Sequence, residues 1–244
     1  MSESTSSIVR QLLGTATGRP MDGDGAFIRA GMSLSELIHL YDLALGAHAG
    51  DALEVGMANG TSAVVIAGAL SSRGNGTLTS VDPFQTTDYR RSGVEHVERA
   101  GLLPLHTLIE EPNYLALPRL VAEGRRFTFI FIDGWHSFDH ALLDIFYSDL
   151  LLADGGVLTL HDTDWVSVNK AVRFLERHKP YERMSPPPAL TLASPVRRAA
   201  RRAVVLLSGP AAQADARARR TSWRSLAAYR KLRTEITPQG VAQF

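Results

Sequence analysis

Phe127-Thr128-Phe129-Ile130-Phe131-Ile132, followed at once by Asp133-Gly134-Trp135-His136, is the segment that decides the fold. A short apolar run rich in aromatic and β-branched residues reads as a strand buried on both faces, the kind found inside a parallel sheet. Working outward, the chain alternates. Upstream lie apolar strands at 52–55, 77–81 and 105–109. Between them fall helical patterns over 60–71, around Val94, Val97 and Ala100, and over roughly 113–123. Downstream, Phe138, Leu142, Leu143, Phe146 and Leu150 follow at helical spacing. Asp154-Gly155-Gly156 reads as the turn into a further strand, Val157–Leu160, and 168–177 as a helix. Strands alternating with amphipathic helices predict βαβ units, hence a mostly parallel sheet with helices on both faces.

Residues 1–31 are Ser- and Gly-rich and read as a flexible arm. Ser33 with Glu36 three positions on forms a capping box that opens the first helix, carrying Leu34, Leu37, Ile38, Tyr41 and Leu45. The rest, 32–244, reads as one domain with a basic helical insertion at about 185–222, entered through Pro186-Pro187-Pro188. Ser225–Leu232 is expected to return as a last, antiparallel strand, and no internal repeat is visible.

Composition narrows the function. The 45% hydrophobic and 21% charged residues are those of a globular chain, which excludes wholesale disorder. Cysteine is absent, which removes disulfide scaffolds, zinc-thiolate sites and cysteine nucleophiles together and suits a reducing compartment. No apolar run is long enough to span a bilayer, and the N-terminus lacks a secretory signal pattern, so a cytoplasmic protein is expected. The net charge of +1 hides an asymmetry: from Ser194 to Arg233 there are eleven Arg or Lys against one acid, Asp215. Such a segment can meet nucleic acid, but a solvated basic face on an acidic body is the preferred reading.

In open α/β sheets ligands sit beyond the carboxyl ends of the strands. The first such loop reads Glu54-Val55-Gly56-Met57-Ala58-Asn59-Gly60-Thr61-Ser62. Gly56 and Gly60 bracket a strand-to-helix turn where a helix N-terminus presents free N–H groups to a carboxylate or phosphate. A dinucleotide fingerprint requires glycine where Ala58 stands, which disfavours a nicotinamide-dependent oxidoreductase. Asp82, closing the second strand, is placed to accept hydrogen bonds from both hydroxyls of a ribose. Asp133 and Asp162 each end a strand, so two carboxylates converge at one sheet edge, an arrangement suited to Mg²⁺ with its preference for oxygen ligands. His136 stands three residues beyond Asp133 as a general-base candidate. His140 and His161 are weaker candidates for a direct role. Trp135, Phe138 and Trp165 are available as aromatic walls or as core.

Taken together, Leu53–Ser62, Ser80–Gln85, Ile132-Asp133-Gly134-Trp135-His136-Ser137-Phe138, Asp154-Gly155-Gly156-Val157 and His161-Asp162-Thr163 resemble the class I S-adenosylmethionine-dependent methyltransferases. The nearest group is the small-molecule and sugar O-methyltransferases, which includes the macrolide-sugar and cephamycin-type enzymes. The resemblance covers roughly 32–182. It implies a Rossmann-like three-layer α/β/α sandwich whose seven-stranded sheet has its last strand antiparallel. It implies Glu54, Gly56 and Gly60 around the methionine part of the cofactor, Asp82 on the ribose and Glu110 and Glu111 bordering the adenine, with Met57, Thr61, Ser62 and Asp133 also at the cofactor. In metal-dependent members the position of Asp133 is a ligand, that of His136 a base, and a pair of acids follows the next strand. Here that pair is His161-Asp162. The implied reaction is O-methylation of a hydroxyl on a small molecule, a sugar or secondary metabolite. The alternative is a nucleic-acid methyltransferase or binder using the basic segment. A homo-oligomer stays open.

Overall fold

The structure, a computed structural model, describes residues 3–18, 32–184 and 225–234. Its centre is a seven-stranded sheet in the order β3-β2-β1-β4-β5-β7-β6. The strands are β1 (Ala52–Val55), β2 (Leu78–Val81), β3 (His106–Ile109), β4 (Phe127–Ile132), β5 (Leu152–Leu160), β6 (Tyr181–Arg183) and β7 (Ala227–Lys231). The first five run parallel, with Val55 beside both Val81 and Ile132. β7 pairs antiparallel with β5, Leu158 opposite Tyr229, and with the short β6, which periodicity does not reveal.

The helices divide between two faces. α1 (Glu3–Thr17), α2 (Leu34–Gly46), α3 (Thr61–Arg73) and α4 (Ser92–Arg99) cover one. There Ala52, Phe129, Phe131 and Val157 pack with Leu40, Val65 and Leu70. On the other face, α5 (Asn113–Ala122), α6 (Phe138–Leu151) and α7 (Val166–His178) meet Leu53, Ile130 and Leu158. β4 thus feeds both cores, as a strand apolar on both sides must. The Ser33/Glu36 capping box of α2 is present, Ser33 N donating to Glu36 Oε2 at 2.8 Å.

Three expectations are corrected. Residues 3–17, which composition predicts to be a loose arm, form α1, because Val9, Leu13 and Ala16 make a helical stripe that is buried against the first face. The remainder of the arm, 19–31, lies outside the described residues. Asp154-Gly155-Gly156 lies within β5 as an irregularity in its pairing with β4, not before it. The apolar row of α6 is split: Phe138, Phe146 and Leu150 are exposed, Leu142 and Leu143 pack half-buried against the second core, and Ala141, Asp144, Ile145, Ser148 and Asp149 are buried. The two buried acids have built partners, Asn113 for Asp144 and Lys179 with Tyr181 for Asp149, so the polar face can turn inward. The basic helical insertion expected at about 185–222 lies outside the described residues. Among the described residues no helix is long and apolar enough to cross a membrane.

Candidate active site

Strand order reverses between β1 and β4, and the region beyond the carboxyl ends of these strands is the usual ligand position in such sheets. Gly56 follows β1 at φ +90, and Asp133 N–H donates to Val55 O at 2.8 Å, which carries the pairing of β1 and β4 to the strand ends. A Cβ on Gly56 would fall 2.2 Å from Asp133 O, and one on Gly60 2.6 Å from Gly93 O. Both glycines therefore permit close backbone packing that shapes the loop.

Asp82 organises the loop. Its Oδ2 accepts from Met57 N at 2.9 Å and Ala58 N at 2.7 Å, and its Oδ1 from Phe84 N at 2.8 Å. Gln85 Nε2 donates to Ala58 O at 2.7 Å and closes the other side. Ala58 stands at φ +47, in the left-handed region where the fingerprint would place glycine.

Two adjoining cavities open here, each of about 700 Å³. The first runs from Gly56 and Asp82 past Phe84 to Asn113, Tyr114 and His140. Phe84 and Trp135 stack at 5.9 Å with planes 9° apart along it. The second is walled by His136, His161, Asp162, Trp165 and Ser167. Ala58, Tyr89, Asp133, Gly134 and Trp135 border both, so ligands in the two would meet across Asp133 and Gly134.

Of the expected cofactor residues, Gly56, Asp82 and Asp133 line the first cavity. Glu54 does not. It is fully buried beneath the loop, with Oε2 accepting from Ser80 Oγ at 2.6 Å and Oε1 unpartnered, and burial pushes its carboxyl up to about 8. Met57, Thr61 and Ser62 are also buried behind the loop, and Gly60 caps α3. Glu110 bonds the Thr86 hydroxyl at 2.9 Å and Glu111 pairs with Arg119 at 2.9 Å, so both acids brace the loop after β3 instead of lining the cavity.

The second cavity holds the titratable cluster. His136 Nε2 lies 2.9 Å from Asp162 Oδ2 and 3.5 Å from Asp133 Oδ1. The short contact is an ion-pair approach and not an aligned hydrogen bond, since Nε2 is buried without an acceptor in line. Contacts with Asp133 and Asp162 push its pKa up to about 9 against the opposing effect of burial. His161 is buried. Its Nδ1 lies 3.2 Å from Asp133 Oδ1, its Nε2 3.2 Å from Ser225 Oγ and 3.9 Å from Glu36 Oε1. Burial disfavours its charge, but Asp133, Asp162 and Glu36 outweigh that and raise its pKa. Ser225 also donates to Asp162 Oδ1 at 3.1 Å, which secures Asp162 at φ +50. Trp165 stacks on His136 at 4.9 Å, and the Ser167 hydroxyl bonds the His136 carbonyl.

Asp133, His136 and Asp162 each present one donor atom within 4.8 Å of the others, an arrangement that can hold a cation. Its third donor is an imidazole, however, and His161, standing where the resemblance puts an acid, turns both nitrogens to protein groups. This set departs from the oxygen ligands Mg²⁺ selects. Ser225 and Glu36 belong to the site but carry no local sequence signal: one arrives from the far end of the chain, the other reads only as a helix cap.

Comparison with known proteins bears on this geometry. Residues 53–163 match the family model Methyltransf_24, a methyltransferase domain. Comparison with curated proteins gives no match. Among solved structures, cofactor-bound Rv0187 from MTB is 14% identical with a TM-score of 0.60, over 95% of this chain and 91% of that one. The O-methyltransferase TomG from Streptomyces achromogenes, involved in tomaymycin synthesis and in complex with SAM, is 18% identical with a TM-score of 0.57, over 75% and 82%. The O-methyltransferase from Bacillus cereus in complex with SAH is 17% identical with a TM-score of 0.55, over 75% and 84%.

Proposed function

We propose that this chain, an S-adenosylmethionine-dependent methyltransferase with the class I fold, methylates a hydroxyl of a small molecule, with His136 as the base. The observation that carries the reading is the pair of cavities meeting at Asp133–Trp135, with His136 on the far side of that wall from Asp82. Asp82, which keeps one lone pair on Oδ1 beside its three backbone donors, accepts from a ribose hydroxyl, and the Phe84–Trp135 stack offers an apolar platform for the adenine. The bound cofactor supplies a methyl group on a positively charged sulfur. Little else is asked of the protein than to align an oxygen with that carbon and take up its proton.

His136 suits the second task. Asp133 and Asp162 stabilise the imidazolium formed when it accepts the proton; because they push its pKa up to about 9, only the neutral minority of the ring acts as base at neutral pH, and turnover is expected to rise as pH approaches that value. Trp165 fixes its ring from one side. The exposed faces of Trp135 and Trp165 beside two carboxylates fit an acceptor with both a flat apolar surface and several hydroxyls, such as a sugar or a hydroxylated secondary metabolite. The resemblance to small-molecule O-methyltransferases supports the same acceptor class, and TomG and the Bacillus cereus enzyme are O-methyltransferases.

A second reading is favoured by the buried, unaligned Nε2 of His136: a divalent cation held by Asp133, His136 and Asp162. Such an ion would polarise the acceptor oxygen, and one tolerant of nitrogen ligands fits these donors better than Mg²⁺.

The test is product formation from S-adenosylmethionine across a panel of sugars, phenols and hydroxylated polyketides, with wild-type protein and His136→Ala. Expected is S-adenosylhomocysteine release with at least one acceptor, lost in the variant while cofactor affinity is kept. Methyl transfer to oxygen at wild-type rate in His136→Ala would remove the base.

A further inference from the structure

The far end of the first cavity is built on a hydrogen-bonded chain that the proposed reaction does not use. Asp144 on α6 is fully buried, and its Oδ1 accepts from Asn113 Nδ2 at 2.6 Å. Asn113 opens α5, and its Oδ1 accepts from the Tyr114 backbone N–H at 2.9 Å. A backbone N–H only donates, so this second contact fixes which way the amide faces whatever the protonation of Asp144. The same Oδ1 lies 3.1 Å from His140 Nδ1. An acceptor at that distance requires Nδ1 to carry the proton, and the neutral ring then has a bare lone pair on Nε2.

His140, Asn113 and Tyr114 all line the cavity, and the His140 ring lies 4.8 Å from that of Trp135. The edge left for a ligand is therefore an acceptor beside an aromatic platform. An adenosine offers few donors to such a group. Its ribose belongs at the Asp82 end of the cavity, and the donor that its purine carries is the exocyclic amine. The other Asp144 oxygen, Oδ2, is buried without a partner. A carboxyl kept this deep, with burial pushing its pKa up to about 7, serves the Asn113 amide.

We propose that His140 is the purine-reading residue of the methyl-donor site, its Nε2 accepting from the exocyclic amine and selecting adenine over 6-oxo purines. Asn113 and Asp144 are positioning residues that set its tautomer. The inference rests on the first cavity being the S-adenosylmethionine site. A hypoxanthine analogue would present a carbonyl oxygen to the same lone pair. Leaving both acceptors unpaired in the cavity weakens binding about ten- to a hundredfold.

The experiment is calorimetric titration of S-adenosylhomocysteine and S-inosylhomocysteine into the wild type, His140→Phe and Asn113→Ala, with far-ultraviolet circular dichroism as a check on folding. The wild type is expected to prefer the adenine ligand by about ten- to a hundredfold. His140→Phe loses that preference mainly by weakening the adenine ligand. Asn113→Ala loses it by strengthening the hypoxanthine ligand, since the freed ring can then donate from Nε2; a merely structural role would weaken both ligands alike. A wild-type preference retained in both variants overturns the proposal, as does a wild type that binds both ligands equally. Failure of the wild type to bind either ligand overturns the cofactor reading itself, and with it this one.

Discussion

Asp82 Oδ2 holds the Ala58 N–H at 2.7 Å while Ala58 stands at φ +47. An alanine there costs roughly 1–2 kcal/mol relative to its preferred region, and glycine avoids that cost. Ala58→Gly is expected to raise thermal stability or leave it unchanged and to keep cofactor affinity. A clear fall in melting temperature would mean that the methyl group packs more usefully than its conformation suggests.

Asp82→Ala removes the acceptor for three backbone N–H groups as well as the proposed ribose contact. Its expected result is loss of S-adenosylhomocysteine binding by more than about a hundredfold, read by calorimetry on protein shown to be folded. Near-wild-type affinity would sink the ribose assignment.

These two positions show how far the sequence reading reaches. The sheet is legible because short strand-like runs, most clearly the apolar Phe127–Ile132, alternate with helical patterns and end in loops; Asp82, Asp133 and His136 follow directly from such ends. The loop residues Glu54, Met57, Thr61 and Ser62 share the segment but point beneath it, and a strand-to-helix turn does not announce which side chains go under. α6 misleads because Phe138, Phe146 and Leu150 of its periodic apolar row are exposed, while Asp144 and Asp149 are buried by partners distant in sequence. Ser225 enters the site across sixty-odd residues, and no local pattern encodes such a contact.

Ser225→Ala tests that long-range contact. Its hydroxyl bonds Asp162 Oδ1 at 3.1 Å and lies 3.2 Å from His161 Nε2. Losing a hydrogen bond to a charged group costs about 1.5–3 kcal/mol where the group is buried, less here because Asp162 is only partly so. The expected outcome is a several-fold fall in kcat with little change in cofactor affinity, since Ser225 does not line the first cavity. An unchanged kcat would show that Asp162 holds its conformation without help.

Chelation separates the two readings of the Asp133–His136–Asp162 cluster. With His136 as an unliganded base, turnover after EDTA treatment and gel filtration equals that of untreated protein, and His136→Ala lowers kcat by about 10²–10⁴-fold. Loss of turnover on chelation, restored by a divalent ion that accepts imidazole, would establish the cation reading in its place.

Glu54 gives a pH dependence of stability that is independent of catalysis. Burial raises its carboxyl from 4.5 to about 8 in the folded protein. Below 4.5 both folded and unfolded states hold the proton, and the stabilisation is complete. As pH rises toward 8, the unfolded chain releases its proton while the folded state keeps it, so stability falls by up to about 1.4 kcal/mol per pH unit. Above the folded value both states are ionised and this loss levels off. Glu54→Gln keeps a neutral group able to accept from Ser80, so it is expected to flatten the fall in melting temperature between about pH 5 and 8 and to exceed the wild type at the upper end. Parallel melting curves for the two proteins across that range would show that Glu54 is already ionised when folded, and that its buried Oε1 has found a partner.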